Sequence, residues 1–412
     1  MADSAVLPLE GVRVLELAHL IAGPVCGMYL ADMGADVIKV ESRDAPDAGR
    51  DIYRLYRGGE GVLHLTVNRN KRGLGVDLRS EGGRAVFRRL AAGADVVIEA
   101  YRGGVAERLG IDWDSLAPLN PRLIYCSISA FGPRGPWREK PGLDSLAQAL
   151  GGFMAITGER DGGPVLGGAP VADTLGALLA IQGILTALIA RGRTGLGQRV
   201  DASLIDGMLL AHTARLSVFH ETGQSPGRWG SGHPEITPYR AFAAKDAWLF
   251  VAVWVDRLWR PFCEAIGRPV LADDPRFAAR TDRLKHRAAL DEILADVFRE
   301  RTVSEWMDVL ERADVLCAPV NDYAHLVRHP QVMASGMIVE QDHPRAGRFK
   351  TIATPVKLGA TPGTIRTPAP ALGEHTREIL SEAGLTADEI DALAASGTVH
   401  IIQGDAVHDP TG

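Results

Sequence analysis

The opening stretch through Glu41 constrains the fold most. "GVRVLELA" (Gly11–Ala18) reads as a strand, and a Gly-Pro turn follows at Gly23-Pro24. "VCGMYLADMGA" then reads as a helix and "DVIKVE" (Asp36–Glu41) as a second strand. Strand, helix and strand within about 30 residues form a βαβ unit, whose two strands lie parallel. The pattern recurs. "RGLGVDL" is strand-like, "SEGGRAVFRRLAAG" helical, and "ADVVIEA" and "PRLIYCSISAF" are further strands. The expectation is a doubly wound α/β domain.

The composition changes near Glu221. "TGQSPGRWGSGHPEITP" is rich in Gly, Pro and Ser and reads as a connection. "AWLFVAVW" is strand-like, and in "RTVSEWMDVLERA" Thr302 and Glu305 have capping-box spacing. The expected division is a large domain over 1–215 plus 335–412 and a small α/β domain over 225–325. Linkers are expected at 216–224 and 326–334. The stretch from His400 to Gly412 reads as a loose tail. A chain of 412 residues with 46% hydrophobic and 23% charged residues fits a globular protein of this size. A net charge of −6 without a dense basic tract argues against nucleic acid as a partner. Cys26, Cys126, Cys263 and Cys317 are scattered, and the N-terminus lacks a charged-then-apolar leader pattern; the expected location is the cytoplasm. The apolar run Thr174–Ala190 is short for a membrane span, which takes about 20 residues, and reads as a core helix.

The usual cofactor signatures are missing. The loop after the first strand, "AHLIAGP", has one glycine, too few for a dinucleotide loop. No P-loop, metal-ligand spacing or G-x-S-x-G elbow occurs. Basic residues do follow predicted strands: Arg43, Lys71, Arg72, Arg102 and Arg108. Cations at the carboxyl ends of parallel strands suit phosphates, although composition alone favours a solvated surface. Asp173 stands alone between a Gly/Pro turn and the apolar run, as a helix cap or as a nucleophile.

These segments together resemble the family III CoA-transferases. The resemblance runs through "LEGVRVLELAHLIAGPVCGMYLADMGADVIKVE", "NRNKRGLGVDL", "ADVVIEAYRGGVAERLG", "GLDSLAQALGGFMAITG", "VADTLGALLAIQGILTALIARG", "GHPEITPYRAF" and "LGEHTREIL". It implies a Rossmann-like large domain, a smaller α/β domain, and an open-ring chain that interlocks with a second copy as a homodimer. It implies acyl-CoA and a free carboxylic acid as the substrates, with no prosthetic group and no metal. The family nucleophile maps to Asp173. The CoA contacts map to His19, Arg43, Lys71, Arg72, Tyr101 and Arg108. Ala100 stands where some relatives carry Asn.

A carboxylate suits thioester exchange. An acyl-aspartate anhydride keeps the acyl group activated, and an aspartate of ordinary pKa, about 3.9, needs no base to activate it. With the helix starting near Thr174, Asp173 is expected at its N-cap, where backbone N–H groups favour negative charge. Two other functions compete. An α-methylacyl-CoA racemase needs two acid/base groups at one carbon, and the racemases' histidine position is Leu143 here. A non-catalytic acyl-CoA-binding protein would have lost the nucleophile, and Asp173 is present. Arg50, Arg54 and Arg57 are candidates for a second carboxylate, and His375 for a packing or substrate contact.

Overall fold

The computed structural model describes residues 6–402. They form two compact units. The first is the described part of Met1–Gly152, Gly167–Thr213 and Ser335–Gly412; the second is Phe153–Leu166 with Ala214–Ala334.

In chain order the larger strands are β1 (Arg13–Leu17), β2 (Asp36–Glu41), β3 (Lys71–Val76), β4 (Val96–Glu99), β5 (Ile124–Ser129) and β6 (Arg199–Ser203). The second unit supplies β7 (Tyr239–Ala243), β8 (Trp248–Ala252) and β9 (Leu316–Pro319). The chain returns with β10 (Ile338–His343), β11 (Gly347–Ile352) and β12 (Val399–His400). The first unit is built on a seven-stranded sheet in the order β12-β3-β2-β1-β4-β5-β6. Six strands are parallel, and β12 runs antiparallel to β3 through Val399↔Val76 and His400↔Gly75. Thus His400, expected in a loose tail, is a sheet residue; 403–412 lie outside the described residues.

The central strands are covered on both faces, so they read as near-continuous apolar runs. Every residue of β4, "VVIE", is buried. One face packs Leu15, Ile38, Leu74 and Val97 against Val86, Phe87 and Leu90 of helix α2 (Glu81–Ala92). That helix begins where the Ser80 side chain accepts a hydrogen bond from Gly83 N at 2.9 Å, and the short helix α3 (Val105–Leu109) follows β4. Helix α1 (Ala22–Asp32) follows β1. Gly23 in its first turn has no alternative, because a Cβ there would lie 2.1 Å from that of Ala18.

The apolar run is helix α5 (Val171–Thr194), and it is less buried than a core helix should be. Leu178, Leu185 and Ile189 are exposed on it. By length and composition alone this helix could cross a membrane. Its buried side packs Gly176 against Leu204, at the start of helix α6 (Leu204–Ala211).

The second unit pairs its strands antiparallel in the order β9-β8-β7. Its core gathers Phe242, Phe262, Phe298 and Trp306. The helix Val303–Arg312 begins with the expected Thr302/Glu305 capping box. Two features differ from the sequence reading. The expected linker 216–224 is largely helical, within Thr213–Thr222. Phe153–Leu166, expected in the large domain, groups with the second unit. Gly230 N donates to the Gly158 carbonyl at 2.8 Å, and Arg228 bonds the Glu159 and Gly162 carbonyls.

Candidate active site

Sheet order places the site. From β1 the chain winds outward through β2 and β3 on one side and through β4, β5 and β6 on the other. The crevice between the carboxyl ends of β1 and β4 is therefore the topological switch point, where ligands bind in open α/β sheets. A cavity of about 230 Å³ occupies it. The loop after β1 contributes His19–Ala22 and the loop after β4 contributes Ala100–Gly103, with Asp173 in the same lining.

Asp173 does not sit at the N-cap. The helix starts at Val171, which makes Asp173 its third residue. The cap comes from another element. Asp144, the first residue of helix α4 (Asp144–Leu150), accepts Ala172 N at 2.8 Å and Asp173 N at 3.2 Å through Oδ1. Its Oδ2 accepts Gln148 Nε2 at 2.6 Å, and Gln148 Oε1 accepts Gly167 N at 2.9 Å. Asp144 and Gln148 thus clamp the turn that delivers Asp173. Val171 N bonds the Ala169 carbonyl and Thr174 N the Pro170 carbonyl. All four N–H groups of the first turn are occupied, so they do not form the oxyanion site expected from the sequence.

No hydrogen-bond donor reaches the Asp173 carboxylate among the described residues. Burial, aided by the charge of Asp144, pushes its pKa up to about 6. At pH 7 it remains mostly ionised, and it is a better proton acceptor than an ordinary aspartate.

His19 is fixed by the backbone. Leu20 next to it has φ 65°, a left-handed conformation unusual for a bulky residue. Leu20 N donates to Asp47 Oδ1 at 2.8 Å. Asp47 is buried and pairs with Lys39 at 2.7 Å, and Lys39 also donates to the Ala18 carbonyl at 3.0 Å. Glu16 completes the chain, meeting Lys39 at 3.2 Å and Lys71 at 2.6 Å. Burial lowers the pKa of His19, against the opposing pull of Asp47, which leaves the imidazole neutral at pH 7. The rings of His19 and Tyr101 lie 6.2 Å apart across the cavity.

The structure therefore brings together Asp173, His19 and Tyr101 and not the other expected residues. Lys71 is buried, bonded to Glu16, Asn68 and the Pro24 carbonyl, and desolvation draws its pKa down to about 8. Arg72 pairs with Asp36, Glu378 and Glu382. Arg43 and Arg108 are exposed and do not line the cavity. Arg50 is committed to Glu41 at 2.7 Å and Glu60 at 3.1 Å, and Arg57 to the carbonyls of Ala346 and Arg348; Arg54 is exposed. His375 accepts Gly73 N at 3.1 Å, a packing role at the edge of β3. Sequence reasoning missed Asp144, Asp47 and the loop residues Arg138 and Lys140, which also line the cavity. The i, i+4 spacing of Asp144 and Gln148 was the available signal for the clamp. Among the described residues no cluster of metal-ligating side chains occurs.

A parallel-dominated α/β sheet with a part-buried carboxylate in the cavity at its switch point has the layout of a ligand-binding α/β fold. The comparisons narrow this. Residues 9–376 match CoA-transferase family III, and the chain belongs to that family. It is similar to the succinate–glutarate CoA-transferase of Agrobacterium fabrum, with 36% identity over 91% of this chain and 95% of that protein. It is also similar to the acetyl-CoA:oxalate CoA-transferase of Acetobacter aceti, with 36% identity over 91% of this chain and 95% of that protein. Among solved structures, a CAIB/BAIF family protein from Brucella suis superposes with a TM-score of 0.83 at 36% identity, covering 92% of this chain and 99% of that one. The chain is a CoA-transferase, of a family that uses CoA thioesters as substrates.

Proposed function

We propose that Asp173 carries the acyl group and then CoA. The ionised carboxylate attacks the donor thioester carbonyl; the C–S bond breaks and CoA leaves as thiolate. The thiolate attacks the aspartyl carbonyl of the resulting anhydride, freeing the donor acid and leaving an aspartyl-CoA thioester. The acceptor carboxylate attacks that thioester and expels thiolate. Thiolate attack on the acceptor's acyl carbon then gives acceptor-CoA and restores Asp173. Charge balances without a proton transfer, which fits a site with no general base paired to the nucleophile.

The observation that carries this reading is the placement of Asp173: in the switch-point cavity, clamped through its own backbone by Asp144, its carboxylate uncommitted. In this reading His19 and Tyr101 flank the thioester, and Arg43 and Arg108, on exposed ground beyond the cavity, serve the nucleotide phosphates. The first unit is the Rossmann-like CoA-binding domain and the second the small domain. Exposed Leu178, Leu185 and Ile189 on α5 support a partner chain, and the partner taken is a second copy in an interlocked homodimer. The enzyme is assigned to the cytoplasm. The names of the two relatives carry succinate, glutarate and oxalate, so short carboxylic acids are the first substrates to try.

The test is transfer from succinyl-CoA to a panel of short acids, followed by mass spectrometry, with Asp173→Asn as the paired variant. The expected result is acceptor-CoA with wild type and none with the variant. Full transfer by the variant removes Asp173 from the mechanism. Light scattering in solution checks the dimer.

A further inference from the structure

Beside the Asp173 cavity lies a second one, of about 390 Å³, which neither Asp173 nor His19 lines. The two share a wall that includes Tyr101, Arg102 and Gly103. The floor of the second is the sheet. On the face that α2 covers, β1 presents Leu15 and Leu17 and β2 presents Ile38 and Val40, all core residues. Further across, the apolar pattern stops. Two residues on from Val97, β4 presents Glu99, and two on from Tyr125, β5 presents Ser127. Register sets Glu99 beside Ser127, and Tyr125 beside Arg199 of β6. Helix α3 and the turn after it add Glu107 and Asp112.

Two of these groups are buried without the partners that burial calls for. Glu99 is 5% exposed and accepts hydrogen bonds from Tyr101 N, at 2.8 Å, and from the Ser127 hydroxyl. No ion pair reaches it among the described residues, and burial pushes its pKa up to about 7. Tyr125 is 2% exposed, and its hydroxyl is buried with no hydrogen-bond partner among the described residues. That hydroxyl feels the charges of Glu99, Asp112, Arg199 and Glu107, all lining residues, so it is aimed into the cavity. A buried polar group left unbonded is destabilising, and phenylalanine would pack the same core without it.

The charges in the lining do not balance. Arg138 is matched by Glu139 at 3.0 Å and Arg199 by Asp201 at 2.9 Å. That leaves Glu99, Glu107 and Asp112 against Arg102, a surplus of two negative charges when Glu99 is ionised. Among the described residues no group of three acidic, histidine or cysteine side chains is placed to hold a metal ion, so the charge suits a larger cation. Carboxylates and a phenol oxygen accept hydrogen bonds, and an ammonium or guanidinium group only donates them. We propose that this cavity binds a small organic cation, an ammonium or guanidinium compound, whose charged head meets Glu99 and the Tyr125 hydroxyl. Glu107, which is exposed, and Asp112 draw the cation in from solvent. The site is separate from the transfer chemistry and does not depend on the role of Asp173.

The probes are butylammonium and butylguanidinium, with butanol as the neutral compound of equal chain length, titrated calorimetrically into the full-length protein. Saturable binding of a cation and none of butanol is expected. Tyr125→Phe removes the unbonded hydroxyl and keeps the ring. It should weaken the cation about threefold to tenfold while the melting temperature holds or rises. Glu99→Gln removes the charge and keeps an acceptor for Tyr101 N. Wild-type affinity should rise about tenfold from about pH 6 to about pH 8 as Glu99 ionises, and Glu99→Gln should abolish that rise. Glu107→Gln, at an exposed position, should weaken binding without disturbing the fold. Failure of both cations to bind at millimolar concentration overturns the proposal, and so does equal binding of butanol. Binding that Tyr125→Phe and Glu99→Gln leave unchanged places the cation elsewhere and overturns it too. Each of these results leaves CoA transfer through Asp173 standing.

Discussion

Asp144→Asn removes one negative charge from beside Asp173 while keeping an acceptor for the first turn of α5. The side-chain oxygen can still take the Ala172 and Asp173 N–H groups, now at 2.8 and 3.2 Å from Asp144 Oδ1. The new amide faces Gln148 Nε2, donor to donor. Gln148 must flip and release Gly167 N, which costs about 1 kcal/mol in stability. The effect on the nucleophile is larger. The carboxyl of Asp173 is raised from 3.8 to about 6, with burial the first cause and Asp144 the second. That rise corresponds to ~3 kcal/mol against the ionised form. As the smaller cause, the Asp144 charge accounts for less than half, so its removal should lower the pKa of Asp173 by less than about one unit. The assay is the pH dependence of kcat/KM from about pH 4.5 to about pH 8, where the acid limb reports the free enzyme. The wild-type limb should fall near pH 6, and the variant's should move down. A limb that stays in place or moves up refutes the electrostatic coupling of the two carboxylates.

Other consequences follow from the same geometry. Because the pKa of Asp173 is raised on folding, the native state binds the extra proton. Its stabilising effect is full below about pH 4 and is lost as pH rises through about 6. Asp173→Asn should therefore unfold at higher urea than wild type at pH 8, by up to ~3 kcal/mol, with the difference closing near pH 4; an equal difference at both would contradict the shift. Lys71→Met, which strips Glu16 of one of its two buried cations, should lower stability by about 3–5 kcal/mol while leaving the KM for acyl-CoA nearly unchanged. A large rise in KM with stability intact would return Lys71 to the CoA site. Gly103→Ala places a Cβ 2.4 Å from the Arg138 carbonyl oxygen, so it should displace the loop and lower kcat/KM with little change in melting temperature; wild-type kinetics would show that the loop need not be held.

Much of the first unit was legible in the sequence because its strands are buried on both faces. β4, "VVIE", and β2, "DVIKVE", read as apolar strands broken only by Lys39 and the acids at their ends, and they lie where their residues suggest. The strands that escaped notice are the ones without that signal. β6 is "RVDAS", with Arg199 and Asp201 exposed at the sheet edge, and β12 has two residues. Tertiary context supplies both. The position of Asp173 was visible, but its setting was not. The helix begins three residues earlier than the apolar run suggests, because Asp144, distant in sequence, caps it. Lys71 and Arg72 follow the pattern of phosphate-binding cations, yet both are spent on carboxylates that the fold brings to them. Spacing reports where a cation stands on a strand; it does not report whether an acid from another strand already faces it.

The central claim is that Asp173 becomes covalently acylated. It is tested most directly by incubating the wild-type enzyme with succinyl-CoA and hydroxylamine and reading the digested protein by mass spectrometry. The account predicts a hydroxamate at Asp173, dependent on the acyl-CoA and missing in Asp173→Asn. An enzyme that turns over under the same conditions with Asp173 unmodified would contradict it.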